Sequence, residues 1–341
     1  MNNFSFKKSV FIIAEISANH GKDFGRAVMM IKEAKKCGAD AVKFQLYSPD
    51  TMTLECNNKY FRVRHPKWGR QTLYQLYQKA YTPWEWFYEL KEVAKEENII
   101  FFATAFDKKS VDFLEKLNVP VHKISSFELV DLSLIEYVAK TKKPLILSTG
   151  MATLGEINEA INVVRKNGVV DISLLKCVSS YPALPEDINL KTIPDMEKKF
   201  CCRVGLSDHT LGTVVSIAAV SLGAKIIEKH FTLSRKIETP DSFFSIEPDE
   251  LRELVDNVRI VERALGKIYY GLTDKEKQSK IFRRSLFVVQ DVKKGEKFTD
   301  KNIRSIRPGL GLAPKYIKMF LGKKSKVDIK KGIPLSLEFI G

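Results

Sequence analysis

Two histidines follow short apolar runs in the second half of the chain: His209 after Cys202–Leu206, and His230 directly after Lys225–Lys229. Glu228 precedes His230 by two residues, so on an extended strand both side chains share a face. Two imidazoles with a carboxylate nearby suit a divalent cation such as Mn2+ or Mg2+, the remaining positions being taken by water. The same spacing also fits two hydrogen-bonded core histidines. Two lysines, Lys43 and Lys123, sit at the ends of other apolar runs, and Thr104, Ser126, Ser148 and Ser207 occupy comparable positions. Ammonium groups ringed by small hydroxyls suit a phosphate. A Schiff base on Lys123 is the rival chemistry. With Glu15, Glu128 and Asp241 added, the inventory fits carbon–carbon bond formation or phosphoryl chemistry.

These residues need a scaffold that brings distant strand ends together. Eight apolar runs read as strands: Val10–Ile16, Ala41–Leu46, Ile99–Thr104, Val121–Ser125, Leu145–Ser148, Ile172–Cys177, Cys202–Leu206 and Lys225–Lys229. Amphipathic stretches follow them, at Gly25–Cys37, Pro83–Glu97, Lys108–Leu117, Leu132–Lys140, Leu154–Asn167, Lys191–Phe200, Leu211–Leu222 and Pro248–Leu265. Continuous apolar strands alternating with helices predict a parallel sheet covered on both faces. Eight such units predict an α/β protein of the (β/α)8 TIM-barrel class, whose catalytic groups stand at the carboxyl ends of the strands. A doubly wound sheet is disfavoured because no GxGxxG follows the first run. Read in order, the strand ends carry Glu15, Asn19 and His20; Lys43 and Gln45; Thr104 and Asp107; Lys123, Ser125, Ser126 and Glu128; Ser148 and Thr149; Lys176, Ser179 and Tyr181; Ser207, Asp208 and His209; and Glu228 and His230. They predict one site at a common mouth.

The segment Tyr47–Thr82 is too long for a simple connection and rich in aromatic residues, including Tyr60, Trp68 and Tyr77. It is expected to form a lid or rim, or else a satellite hydrophobic cluster. Barrel residues 1–268, a linker at 269–282 and a small β-rich domain at 283–341 with Lys-Gly turns complete the expected organisation. The last 59 residues carry ten of the fifteen net positive charges. They show neither zinc-finger spacing nor an RNA-binding aromatic signature, so no nucleic-acid partner is expected. A basic face that attracts anionic substrates fits better. The five cysteines lack CxxC spacing and read as reduced thiols, mostly filling the core. The opening residues lack a cleavage site and no run is long enough to span a bilayer, so a cytoplasmic protein is expected.

The motifs AEISANH (14–20), VKFQLY (42–47), ATAFD (103–107), KISSFE (123–128), STGM (148–151), GLSDHT (205–210), IEKHFTL (227–233) and RPGLGL (307–312) resemble the sialic acid (nonulosonic acid) synthase family in order along nearly the whole chain. AYTPWEWF (80–87) and PDSFFSIEP (240–248) are most similar to its pseudaminic acid synthase branch, the neuraminate, legionaminate and spore-coat branches being the neighbouring alternatives. The resemblance implies condensation of phosphoenolpyruvate with an acetamido sugar aldehyde, for the pseudaminic branch 2,4-diacetamido-2,4,6-trideoxy-L-altrose. It also implies a C-terminal antifreeze-like (SAF, β-clip) domain that covers the partner's site in a homodimer. By motif, His209 and His230 would hold Mn2+ or Mg2+ with Glu228 behind them. Lys43, Thr104, Lys123, Ser126, Ser148 and Ser207 would hold phosphoenolpyruvate. Glu15, Gln45, Glu128, Tyr181 and Asp241 would contact the sugar, and Arg307 of the partner would reach its N-acetyl group. Ser179 stands where the neuraminate branch tends to place Asn near the phosphate, and Phe243 replaces an expected small residue at the sugar pocket. A carbohydrate-binding protein without catalysis is the reading from a different class.

Overall fold

A computed structural model describes residue 6 and residues 9–65 and 67–340. The strands are β1 (Phe11–Glu15), β2 (Ala41–Leu46), β3 (Arg62–His65), β4 (Gly69–Thr72), β5 (Ile100–Ala105), β6 (His122–Ile124), β7 (Leu145–Ser148), β8 (Ile172–Cys177), β9 (Arg203–Asp208), β10 (Ile226–His230), β11 (Ser285–Val288) and β12 (Ile303–Ile306). The helices are α1 (Phe24–Lys36), α2 (Pro49–Met52), α3 (Leu73–Ala80), α4 (Phe87–Glu96), α5 (Lys108–Lys116), α6 (Leu132–Ala139), α7 (Leu154–Lys166), α8 (Thr192–Phe200), α9 (Val214–Ser221), α10 (Pro248–Leu265) and α11 (Asp274–Ser279).

Eight strands close into a parallel barrel in the order β1-β10-β9-β8-β7-β6-β5-β2. The barrel predicted from the sequence is therefore present. The seventh and eighth strands run on to Asp208 and His230, two residues and one residue beyond the apolar runs. The polar ends are themselves strand, because backbone pairing continues past the point where apolar side chains stop. Helices cover the outside through apolar stripes at helical spacing. In α10, Pro248 opens the helix beside a Glu247–Glu250 capping box, and Leu251, Leu254, Val255 and Val258 are buried. The closing helix is tied to the first strand: Arg259 donates to Val10 O (2.8 Å) and to Asp40 Oδ2 (3.1 Å), which also accepts from Ile12 N (2.9 Å).

Inside the barrel, space is set by residue size. A Cβ on Gly205 of β9 would come within 2.3 Å of Ile226 O and 2.8 Å of the Leu175 side chain. Only glycine lets those neighbours fill the layer beneath the mouth.

The long segment after β2 has structure of its own. It contains α2, the antiparallel β3–β4 hairpin and α3, whose N-terminus is fixed by reciprocal bonds between Thr72 and Gln75.

Residues 267–341 form a second compact unit, separate from 1–266. Its core is Leu286, Val288, Val292, Phe298, Ile303, Phe320, Ile329, Leu335 and Ile340, with β11 and β12 antiparallel. Gly295 and Gly332, with φ of +87° and +90°, turn the chain at the Lys-Gly positions. The stretch expected as a linker carries α11, capped by the Thr273 hydroxyl. Among the described residues no helix is long and apolar enough to cross a membrane.

Candidate active site

A cavity of about 410 Å3 lies at the carboxyl ends of the barrel strands. Strand pleating decides what reaches it, since alternate residues point inward. Glu15, Lys43, Gln45, Thr104, Lys123, Ser125, Ser148, Cys177, Ser207, Glu228 and His230 line it, joined by Ser126, Glu128, Tyr181, His209 and Asp241 from the loops. The strand-end residues of opposite parity do not. Asp208 and Lys229 pair with each other at 2.9 Å, and Thr149 donates to Leu175 O. Asn19 donates to Phe231 O, and His20 bonds Thr82. The expectation of a common mouth holds for one face of each strand only.

The floor is a charged network. Lys43 Nζ lies 2.7 Å from Glu15 Oε2 and 3.6 Å from Glu228 Oε1, and donates to Thr104 Oγ1 at 3.0 Å. Gln45 donates to the other Glu15 oxygen (3.0 Å), and Ser207 to Glu228 (3.3 Å). Burial alone would lower the Lys43 pKa, but the two carboxylates outweigh it and raise it. Lys43 is thus a neutralised cation rather than an open one. Lys123 donates to Ser148 Oγ (2.7 Å) and Ile124 O (2.9 Å) and has no ion pair among the described residues. Burial pulls its pKa down, outweighing Glu228, Cys177 and Glu15, which raise it. Beside it, Gly150 N donates to Ser126 Oγ (3.0 Å), and a Cβ on Gly150 would come within 2.7 Å of that oxygen and 2.3 Å of Ser179 Oγ. The Ser179 hydroxyl is buried without a hydrogen-bond partner, next to the cavity rather than on its wall. Lys123, Ser148 and Ser126 form a cradle suited to an anion, with the Gly150 amide holding the Ser126 oxygen in place.

The His209 and His230 rings stand 5.3 Å apart, wedged among Tyr181 and Phe244. His209 Nδ1 meets Val178 O at 2.8 Å, which places the proton there and leaves Nε2 as a lone-pair donor. Burial, then His209, hold the His230 pKa well below the ordinary range, so its imidazole is neutral. Its Nδ1 and Glu228 Oε2 are buried without hydrogen-bond partners. Asp241 Oδ2 lies 3.9 Å from that nitrogen, beyond hydrogen-bond reach. Burial would lower the His209 pKa, but Cys177, the Val178 carbonyl and Asp208 outweigh it and raise it, so of the two rings His230 is the one held neutral. The His230 lone pair, the His209 Nε2 and an orphaned carboxylate oxygen fit a divalent cation. Among the described residues no group of three His, Cys, Asp or Glu side chains is arranged to hold one, so His209 and His230 would leave most positions to water or substrate.

Sequence reasoning missed several lining groups. Cys177, expected as core filler, faces the cavity because it ends β8 at inward parity. Burial would raise its thiol pKa, but His209, the Ser126 hydroxyl and Lys123 outweigh that and bring it to about 7. Ser17, which donates to Asp241, was also missed. Phe243 does not line the cavity; Phe244 is the ring that packs on His230, at 4.8 Å. Of the aromatic residues in 47–82, Tyr47, Trp68 and Tyr77 reach the cavity, whereas Tyr60 is exposed. Arg307 lies in the second unit, on its surface.

His20 provides a pH test of the rim. It is fully buried, its Nδ1 accepts from Lys22 N (3.0 Å), and its Nε2 faces Thr82 Oγ1 (3.0 Å). Burial, then Lys22 and Arg26, depress its pKa to about 4. Unfolded, it would titrate near 6.5. Its contribution is therefore intact above pH 6.5 and falls by about 3 kcal/mol as the pH drops to 4. Thermal unfolding followed from pH 7 to 4 is expected to decline less steeply in His20→Gln than in the parent. Parallel curves would contradict a buried neutral His20.

The NeuB family matches residues 30–270 and the SAF domain residues 283–340. The chain belongs to the NeuB family. It is 44% identical to a pseudaminic acid synthase of Campylobacter jejuni over 97% of each chain, and 43% identical to one of Helicobacter pylori over 96% of this chain and 97% of that one. Among solved structures, an N-acetylneuraminic acid synthetase of Leptospira borgpetersenii in complex with citrate superposes with a TM-score of 0.73 at 34% identity. That match covers 82% of this chain and 93% of the other.

Proposed function

We propose that this chain condenses phosphoenolpyruvate with 2,4-diacetamido-2,4,6-trideoxy-L-altrose to give pseudaminic acid and phosphate. One observation carries the reading: a single cavity holds an anion cradle at Lys123, Ser126 and Ser148 beside the His209–His230 pair. The Campylobacter and Helicobacter relatives named pseudaminic acid synthase support the branch.

In this reading Lys123 and its hydroxyls hold the phosphate, with Lys43, Thr104 and Ser207 completing the phosphoenolpyruvate contacts. Gln45, Glu128, Tyr181 and Asp241 hold the open-chain sugar, and Glu15 orients the aldehyde and the hydroxyl it becomes. Carbon 3 of phosphoenolpyruvate forms the new bond to the aldehyde carbon, whose oxygen takes up a proton. Water adds to the resulting oxocarbenium carbon, and loss of phosphate leaves the keto group. His209 and His230 would hold Mn2+ or Mg2+, with Glu228 behind them; when bound, the cation supplies Lewis acidity toward the aldehyde oxygen.

A homodimer belongs to the same reading, with the SAF unit of one copy over the partner's cavity and Arg307 reaching the sugar. Exposed Phe127, Val130, Met151, Leu184 and Leu211 on the loops that follow the barrel strands, with Val214 at the start of α9, support a covered face. All five cysteines are unpaired, in keeping with a reducing cytoplasm.

Phosphate release from phosphoenolpyruvate tests the reading, measured with the altrose sugar, N-acetylmannosamine and the legionaminate precursor, each with Mn2+ and with EDTA. Metal-dependent release with the altrose sugar alone is expected. Release with another sugar would move the branch, and silence with every aldehyde from folded protein would reject the condensation.

A further inference from the structure

The cavity has two unlike halves. Opposite the charged floor, its wall comes from the 47–82 segment: Tyr47 just after β2, Val63 and Trp68 of the hairpin region, and Leu73, Leu76 and Tyr77 of α3, closed by Phe106, whose ring lies 5.2 Å from that of Tyr47. Positions 73, 76 and 77 follow helical spacing, so one face of α3 looks into the cavity. Of these side chains Tyr47, Trp68 and Tyr77 carry a polar atom, whereas Val63, Leu73 and Leu76 carry none, and the Trp68 indole N–H is already given to Pro240 O at 2.9 Å. That bond, and the Trp68 ring 6.1 Å from Tyr181, tie the hairpin to the rim of the barrel.

We infer that this apolar wall is the subsite for the end of the sugar remote from the aldehyde, and that Val63, Leu73 and Leu76 select a terminal methyl over a hydroxymethyl. The inference rests on the condensation reading and goes beyond it, because it assigns selectivity to one carbon and to named residues. The aldehyde must meet the phosphoenolpyruvate bound on the floor. An open six-carbon chain anchored there extends across the cavity, so its last carbon lies against the wall. A methyl group buried on Leu73 and Leu76 gains apolar contact. A hydroxyl in its place loses water and finds no aliphatic neighbour to bond. Discrimination of this kind in an apolar pocket is worth about 10- to 100-fold.

The test uses a matched pair, 2,4-diacetamido-2,4,6-trideoxy-L-altrose and its 6-hydroxy counterpart, with the full-length Mn2+-loaded protein and phosphate release as the readout. A kcat/KM preference of about 10- to 100-fold for the 6-deoxy sugar is expected. Leu76→Asn and Leu73→Gln should contract it to within about 3-fold by improving the 6-hydroxy sugar, whereas Leu76→Met, which keeps the wall apolar, should retain it. Equal kcat/KM for the two sugars in the parent, or a preference that Leu76→Asn leaves untouched while the protein remains folded, would overturn the inference alone. Absence of release with either sugar would take down the condensation reading and this inference with it.

Discussion

Lys123→Met is expected to lower kcat/KM for phosphoenolpyruvate by about 10^3-fold while leaving the thermal midpoint nearly unchanged. The reason lies in how the two cavity lysines are balanced. Lys43 is held by Glu15 at 2.7 Å and Glu228 at 3.6 Å, so its charge is spent within the floor. Lys123 gives its protons to Ser148 and to a main-chain carbonyl, which leaves its charge available to an incoming phosphate. Methionine matches the length and apolar stem of lysine, and Glu228 keeps Lys43 as a partner, so no carboxylate is stranded. A loss of less than about 10-fold would remove Lys123 from the phosphate cradle. Borohydride should trap no substrate on the parent protein; covalent trapping at Lys123 would replace the cradle by a Schiff base. The same variant tests the dimer. Mixed with Arg307→Ala, it should regain about a quarter of the parent activity, because half of the redistributed dimers carry one site with both residues native. No recovery on mixing would confine Arg307 to its own subunit.

Lys229→Met is expected to produce the largest loss of stability. Lys229 and Asp208 are buried to 2% and 1% exposure and meet at 2.9 Å. Asp208 also accepts from Ser216 Oγ (2.6 Å), Thr210 N (2.9 Å) and Thr210 Oγ1 (2.7 Å), while Lys229 donates to Thr210 O (2.6 Å). Removing the lysine strands a buried carboxylate, at a cost of about 3–5 kcal/mol. In a domain of this size that lowers the thermal midpoint by about 10 °C. Asp208→Asn combined with Lys229→Met should recover much of the loss, because it removes the stranded charge together with its partner. A midpoint for Lys229→Met within about 2 °C of the parent would refute the assignment. The pair bridges β9 and β10 at the positions adjoining His209 and His230, and Lys229 and Asp208 are register partners. Its loss is therefore also expected to weaken Mn2+ binding, which calorimetry reads independently of turnover.

Much of the site was legible because strand pleating is a local property. Once Ala41–Leu46 and Lys225–Lys229 are read as strands, the two-residue period puts Lys43 with Gln45, and Glu228 with the following His230, on one face. The same rule, applied to β8, would have moved Cys177 from the core to the cavity. It would also have turned Asp208 and Lys229 outward. The error at Phe243 had another origin: a short 3-10 turn at Ser242–Phe244 presents the second phenylalanine, and no periodicity announces which.

The chain itself therefore determined the barrel, the parity of each strand and the residue types at its mouth, since these follow from apolar runs, helical stripes and capping residues within short windows. The partners were decided by closure. Lys43 finds Glu228 only because β1 pairs with both β2 and β10, bringing together residues that lie far apart in the chain. The Tyr47–Thr82 segment becomes a wall of the cavity because the Trp68 indole reaches Pro240 across the mouth. Distances of that kind depend on barrel register and loop docking, which no local period encodes.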